Sequence, residues 1–511
     1  MQRNGYLQFK SGTDIRGCAE TSDARKCVLT PAVTERIGYA FAMWLAEKLG
    51  VGADKLTIAV GRDTRTSGET LLRALVRGMT AADCDVIDCA LSAMPAMVMT
   101  VTGEHACADG AVMVTASHHA ADMNGFKLIC RAGGLAEADI EAILSRAEAA
   151  AMPQRLVTQL DTLGIYKERL RERVCQWMDT DVQCPLLGLH VVVDAGNGAG
   201  GFFAEWLEEM GCEVTGSMNL APDGRFPAHA PDCQDAQALE VMSRVVLQNT
   251  ADLGVILDAD CDRAAIVDAS GRAINRNSMI ALISAVMLDA EPGLTFVTDS
   301  VTSSGLTRFI SEWGGTHYRF KRGYRNVIDE AIRLNDEGIN CPLAIETTGH
   351  AAFRENDFID DGVYLATRLL CEALKFKQDG RLLCEYLEGF QEPAEHLEIR
   401  MALKDEDDVP EDEDDRDGAQ MLIERVVANT LDNHAWSLAS DNREGVRILF
   451  DLDGGVENAW FQLRMSVHDP VMVLNAESGV AGGVSHMLKQ LYELIQEETC
   501  VDLVPLQEAI R

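Results

Sequence analysis

Two stretches carry side chains that chemistry can use. In LDADCDR, Asp258, Asp260 and Asp262 alternate with other residues just after the apolar run GVIL. On an extended backbone, residues two apart project to the same side. Three carboxylates so placed repel one another unless a cation sits among them, and an all-oxygen ligand set suits magnesium or calcium. An EF-hand is excluded: its loop needs Gly at the sixth position and Glu at the twelfth, where this chain has Arg263 and Ala269. The plainer alternative, a charged surface turn, sits poorly with the buried-type strand that leads into the aspartates.

In MVTASHHAADMNGFK, an apolar run ends at Ser117, with His118 and His119 next and Lys127 just beyond an Asn-Gly pair. Strand ends are where α/β proteins place their ligands. Ser117 lacks the G-x-S-x-G frame of a hydrolase elbow, so a serine hydrolase is not supported. On these residues alone, an ordinary polar loop is as consistent as a reactive serine.

Further segments are weaker taken singly. AIETTGHAAF brings Glu346, Thr348 and His350 into one turn, a set suited to reading sugar hydroxyls. Cations recur in Gly- or Ser-bearing loops: Arg16 in SGTDIRG, Arg62 and Arg65 in GRDTRTSG, and Lys321, Arg322 and Arg325 in KRGYR. Arg263 follows the aspartates and Arg464 lies in FQLRMSVHDP. Any one of them is ordinarily a surface arginine; together they favour an anionic, phosphate-bearing substrate. GNGAGG (Gly196 to Gly201) formally matches the dinucleotide fingerprint, but it lacks a clear acidic partner and reads as a tight β–α turn.

The elements that must position these groups alternate. LTIAV, DVIDCA and GAVMVTA read as strands, with LLRALVRGM as a helix between the first two. A second series runs LHVVVDA, the helix FFAEWLEEM, CEVTG, GVILDA and the hairpin-like AAIVDASGRAI. A third runs LTFVTDS, the helix GLTRFISEW and THYRF. Three units of one β–turn–α–β rhythm predict three related α/β domains. VRILFDL and AWFQLRM then predict a smaller C-terminal α+β domain. The boundaries expected are 1–185, 186–290, 291–390 and 391–511.

Composition bounds the function. Of 511 residues, 47% are hydrophobic and 25% charged, which is the balance of a globular protein. The formal charge of −36 opposes binding to nucleic acid and to anionic membranes. Part of it sits in KDEDDVPEDEDDRDG (Lys404 to Gly418), which reads as a solvated loop. The most apolar stretch, Met279 to Leu288, is shorter than the roughly 18 to 20 residues of a membrane span. MQRNGYLQFKSG has no signal-peptide core, so a cytoplasmic protein is expected. The 15 cysteines are dispersed without a C-x-x-C pair, which argues against a disulfide framework or structural zinc.

In combination these motifs resemble one family, the α-D-phosphohexomutases of phosphoglucomutase/phosphomannomutase type. TASHHAADMNGFK is similar to its phosphoserine loop, Thr-Ala-Ser-His-Asn-Pro with a later Asn-Gly-x-Lys. DADCDR is similar to its metal loop, ETTGH to its sugar loop, and RMSVHDP to its phosphate loop, Arg-Pro-Ser-Gly-Thr-Glu-Pro. SGTDIRG, GRDTRTSG, VVDAGNGAGG and DGRFPAHAPD also have counterparts in the expected order, over nearly the whole chain. The resemblance implies four domains around a central cleft and a mutase interconverting hexose 1-phosphate and hexose 6-phosphate, glucose or mannose. It implies Mg2+ held by Ser117, Asp258, Asp260 and Asp262, with hexose 1,6-bisphosphate as intermediate and activator. Ser117 would carry the phosphoryl group, with Arg16, Lys127 and Arg263 balancing charge. His118 or Lys127 would handle the proton near Ser117, and His350 would serve the sugar side. Gly323, Glu346 and Thr348 would meet the sugar, and Arg464 and Ser466 its distal phosphate. The partner is a small phosphosugar, and the chain a monomer or dimer. The alternatives are a phosphoglucosamine mutase or a non-catalytic sugar-phosphate binding protein. Departures from the family pattern are His119 and Ala120 for Asn-Pro, Val467, His468 and Asp469 for Gly-Thr-Glu, and no arginine in VMVLN.

Overall fold

The computed structural model describes residues 5–20, 28–147, 157–403, 415–433, 435–466 and 470–510. The chain divides into two compact units. One holds residues 2–279 and 348–386, the other residues 280–347 and 387–511.

In the first unit, a mixed sheet runs in the order Lys10–Ser11, Asp14–Cys18, Met123–Cys130, Gly110–Val114, Thr57–Arg62, Asp85–Leu91, Val157–Gln159. The four strands from Gly110–Val114 onward are mutually parallel, while Met123–Cys130 returns antiparallel to Gly110–Val114. Alternation along each strand divides its side chains between two layers. Ile58, Val60, Val112 and Val114 pack under Phe41, Leu45, Leu71 and Leu75 of the helices Pro31–Leu49 and Gly68–Ala81. Ala59, Ala111 and Met113 face the other way, onto Met94 and Met97 of the helix Met94–Met99. Pro31 stands at the first turn of its helix, where a missing N–H costs nothing, and Thr30 caps it by accepting from the Val33 amide.

A second sheet orders Ala273–Ile274, Ala264–Asp268, Leu253–Leu257 and Val191–Asp194. CEVTG forms no strand there; only an isolated bridge, His190 with Glu213, marks the expected position. The helix Gly362–Gln378 also belongs to this unit, capped by Asp361, which accepts from the Tyr364 amide at 2.8 Å and from the Tyr166 hydroxyl at 2.6 Å.

In the other unit, Thr316–Arg319, Thr295–Thr298 and Leu343–Ile345 are parallel neighbours, accompanied by the helices Ser304–Glu312 and Tyr324–Asp336. An antiparallel five-stranded sheet follows, in the order Glu395–Ala402, Val471–Ser478, Ala459–Met465, Val446–Phe450, Ser437–Leu438. Met401, Phe461, Leu474 and Leu488 centre its core.

Of the acidic run, residues 404–414 lie outside the described residues; its end is not loop, because the helix Asp415–Asp432 begins there. The apolar stretch Met279 to Leu288 is buried within the helix Arg276–Ala290, and among the described residues no helix is long and apolar enough to cross a membrane. The cysteines among the described residues form no disulfide.

Candidate active site

The strand Gly110–Val114 is followed by Thr115, and the chain then turns through Ser117 with φ 51, a left-handed conformation rare for a residue with a Cβ. The Ser117 amide donates to Thr115 Oγ1 at 2.8 Å, and that hydroxyl donates to Asp63 Oδ2 at 2.8 Å. Arg65 holds the remainder of the turn by donating to the carbonyls of Ser117, His119, Ala120 and Met123 at 2.6–2.8 Å. Arg65 is therefore not free to cradle phosphate, contrary to the expectation for GRDTRTSG, and Arg62 pairs with Glu69 at 3.0 Å. Arg325 likewise pairs with Asp329, one turn along its own helix.

The metal loop meets this turn from the second sheet. After Leu253–Leu257 the chain turns at Asp258, passes through left-handed Cys261 (φ 67) and returns as Ala264–Asp268. The three carboxylates are thus gathered by a tight turn, not by alternation along a strand as the spacing predicts. Their ligand atoms lie within 4.8 Å of one another, all buried. GNGAGG is what supports this turn: a Cβ on Gly198 would stand 2.7 Å from the Ala259 Cα and carbonyl, and the Ala199 amide donates to that carbonyl at 2.8 Å. Those glycines are required by close backbone approach rather than by a dinucleotide.

Ser117 Oγ donates to Asp258 Oδ2 at 3.2 Å. Asp260 Oδ1 and Asp262 Oδ1 are buried and accept no hydrogen bond. Anionic oxygens left so are costly unless a cation serves them, so the donor set fits a hard divalent metal. Lys127, in the strand Met123–Cys130 rather than in a loop, lies 3.2 Å from Asp260 and closer still to Asp262. Burial works against its ammonium, but Asp260 and Asp262 outweigh that and hold the amine protonated. Burial would likewise raise Asp262, yet Lys127, His350 and Arg263 hold it below the usual carboxylate range.

Other expected residues gather at the same place. Arg16 donates to the Thr115 carbonyl and to Asp14 Oδ2, both at 2.6 Å. His118 Nδ1 lies 3.5 Å from Ser117 Oγ, and Arg263 together with burial keeps that imidazole neutral. The Arg263 guanidinium is 3.8 Å from Asp262 and donates through Nε to His350 Nε2 at 2.9 Å. His350 Nδ1 is 2.6 Å from Asp360. Asp360 has no distinguishing sequence pattern, and Asp63 and Thr115, though inside the GRDTRTSG and TASHH motifs, show their roles only through these contacts.

The remaining expected residues are not all in this cluster. ETTGH divides, since Glu346 belongs to the unit of residues 280–347 and 387–511, while Thr348 and His350 belong to the first. Gly323, with φ 115, donates its amide to Glu346 Oε1 at 2.6 Å. Arg322 is half-buried among Asp299 at 4.0 Å, Glu398 at 3.5 Å and Glu444, which accepts from its amide at 3.1 Å. Arg464, at the end of Ala459–Met465, is 4.0 Å from Glu444. The Ser466 amide donates to the Val471 carbonyl at 2.9 Å; Val467, His468 and Asp469 lie outside the described residues.

Residues 9–153, 171–271 and 275–392 match the models of phosphoglucomutase/phosphomannomutase α/β/α domains I, II and III. The chain belongs to this family. A phosphomannomutase/phosphoglucomutase of Pseudomonas aeruginosa is 31% identical over 336 residues, 64% of this chain and 69% of that protein. A phosphoglucomutase/phosphomannomutase of Thermococcus kodakarensis is 29% identical over 92% of this chain and 95% of its own length. Among solved structures, a family protein from Burkholderia thailandensis superposes with a TM-score of 0.75 at 25% identity, covering 95% of this chain and 96% of its own. The three α/β domains and the C-terminal α+β domain are those of a phosphohexomutase, and the chain is a mutase of the isomerase class.

Proposed function

We propose that this phosphohexomutase interconverts the 1- and 6-phosphates of glucose or mannose, with Ser117 as phosphoryl carrier and a hexose 1,6-bisphosphate as intermediate. The observation that carries the reading is Ser117 Oγ bonded at 3.2 Å to Asp258, beside Asp260 Oδ1 and Asp262 Oδ1, which are buried and accept no hydrogen bond. Asp258, Asp260 and Asp262 would hold Mg2+, which when bound neutralises charge on the transferring phosphoryl.

Phosphoryl transfer asks mainly for positioning and charge stabilisation. In the first half-reaction the phosphorus–Oγ bond of phosphorylated Ser117 breaks and a bond to a substrate hydroxyl oxygen forms. That hydroxyl loses its proton to His118, which is neutral and 3.5 Å from Ser117 Oγ, whereas Lys127 is held protonated. Arg16, Lys127 and Arg263 balance the anionic charge. In the second, the phosphorus–oxygen bond at the other end of the bisphosphate breaks, a bond to Ser117 Oγ forms, and the sugar oxygen released takes back the proton that His118 accepted. His350 is assigned to the sugar side, while Gly323, Glu346 and Thr348 read the sugar and Arg464 and Ser466 the distal phosphate. Domain limits at 185, 290 and 390, a monomer or dimer, and a cytoplasmic setting belong to the same proposal.

The test is intact mass before and after phosphatase treatment, together with turnover of a panel of hexose 1-phosphates and glucosamine 6-phosphate. Loss of one phosphate traced to Ser117, and no mutase activity in Ser117→Ala, is the expected outcome. Full activity in Ser117→Ala sinks the reading. Sugar-phosphate binding without turnover, even with glucose 1,6-bisphosphate supplied, favours a non-catalytic binder.

A further inference from the structure

We propose that Arg65 is a positioning residue which winds the Ser117 turn into shape, and that Gly224 and Phe226 hold Arg65 in place. The inference rests on Ser117 being the phosphoryl carrier.

All five guanidinium N–H groups of Arg65 have partners. Nε donates to Asp63 Oδ2 at 3.2 Å. Nη1 donates to the carbonyls of Ala120 (2.6 Å) and Met123 (2.8 Å), and Nη2 to those of Ser117 and His119, both at 2.7 Å. Four carbonyls within seven residues of chain thus converge on one buried cation. Their dipoles repel one another, and each left without a donor inside the protein costs about 1–3 kcal/mol. A planar five-donor fork satisfies them at once; an ammonium, with three donors from a single point, does not. The turn so held is the one that keeps Ser117 at φ 51, a conformation that persists only where its surroundings over-determine it.

Arg65 is itself held by the domain that carries the metal loop. The Phe226 ring lies 5.1 Å from the Arg65 guanidinium carbon, in cation–π range, and is buried. The chain before it presses so close that a Cβ on Gly224 would stand 2.3 Å from the Thr64 carbonyl oxygen and 2.4 Å from the Arg65 Cα. Thr64 Oγ1 donates to the Asn197 carbonyl at 2.9 Å, fastening the same loop to the GNGAGG turn. DGRFP, which no catalytic role absorbs, thereby acquires one: it couples the seat of the metal loop to the geometry of the serine that faces it.

The test uses the full chain with Arg65→Lys, Phe226→Leu and Phe226→Tyr. Dephosphorylated protein is mixed with glucose 1,6-bisphosphate, and phosphoryl uptake on Ser117 is timed by intact mass. Misplacing a reacting group by about 1 Å costs on the order of 100-fold, so Arg65→Lys is expected to slow uptake roughly 10- to 100-fold with KM moved far less than kcat. Phe226→Leu is expected to slow it several-fold and Phe226→Tyr, which keeps the ring face, to restore it. Amide exchange should quicken over residues 117–123 in Arg65→Lys while the strand Gly110–Val114 stays protected. Wild-type rates and exchange in a folded Arg65→Lys overturn the proposal, as does exchange that quickens throughout the unit. Should Arg65→Lys not fold, the Leu and Tyr pair decides: equal uptake in both overturns it. A wild-type chain that takes up no phosphoryl overturns the reading of Ser117 instead, and the exchange measurement still judges the clasp.

Discussion

Lys127→Met tests the metal assignment without recourse to activity. The substitution keeps the length and apolar body of the side chain and removes a buried ammonium shared by Asp260 and Asp262. Breaking a buried pair from one side costs about 3–5 kcal/mol. Arg263, 3.8 Å from Asp262, compensates in part, which places the expected loss near the lower end, about 3 kcal/mol in EDTA. Magnesium changes this. An ion bound only by the folded chain adds about 2.7 kcal/mol at a hundredfold excess over its Kd. Without a neighbouring ammonium to repel it, the ion should bind Lys127→Met on the order of tenfold more tightly, a further 1.4 kcal/mol or so. Urea unfolding with and without magnesium should therefore show a deficit that shrinks as metal is added, and calorimetry a lower Kd for the variant. Adding Asp262→Asn to Lys127→Met should recover part of the loss, the mark of a direct coupling. Equal stability of variant and wild type in EDTA, or an identical magnesium response, refutes the argument.

Ser117→Gly and Ser117→Ala should both be inactive, but the glycine variant should be the more stable by about 1 kcal/mol, because only glycine is at ease at φ 51; thermal unfolding decides. Gly198→Ala drives a methyl group into the Ala259 backbone and should cost about 1–3 kcal/mol while weakening magnesium binding, read by calorimetry. Burial pushes the Glu477 carboxyl up to about 7, against the pull of Arg447. Its folded pKa is the higher one, so it lends stability at acid pH that is lost as pH rises through about 7; Glu477→Gln should flatten that slope in unfolding measured from pH 5 to 8.

Much of the site was legible because its residues sit where strands end. Asp258 and Ser117 follow apolar runs, so their placement just beyond strand ends could be inferred from those runs. What could not be inferred was how the carboxylates meet, since Cys261 adopts a left-handed backbone that no local pattern announces. Arg65 resists such reading for a related reason: its partners are carbonyls more than fifty residues away, and a main-chain acceptor leaves no trace in residue type. Asp360 looks like any acid near a helix start until its contact with His350 is seen. GNGAGG reads as a turn from its glycines, and the contact with Ala259 gives the physical cause.

The clasp on the serine turn also bears on how this loop can depart from the family pattern and keep its path. Arg65 grips main-chain carbonyls, which every residue type supplies, so what occupies positions 119 and 120 is a matter of indifference to it. His119 and Ala120 stand where the family usually has Asn-Pro, and both still present their oxygens to the same guanidinium. The restraint on this loop lies outside it, in one arginine and the ring beneath, which leaves its side chains open to evolutionary change while the path of the backbone is kept.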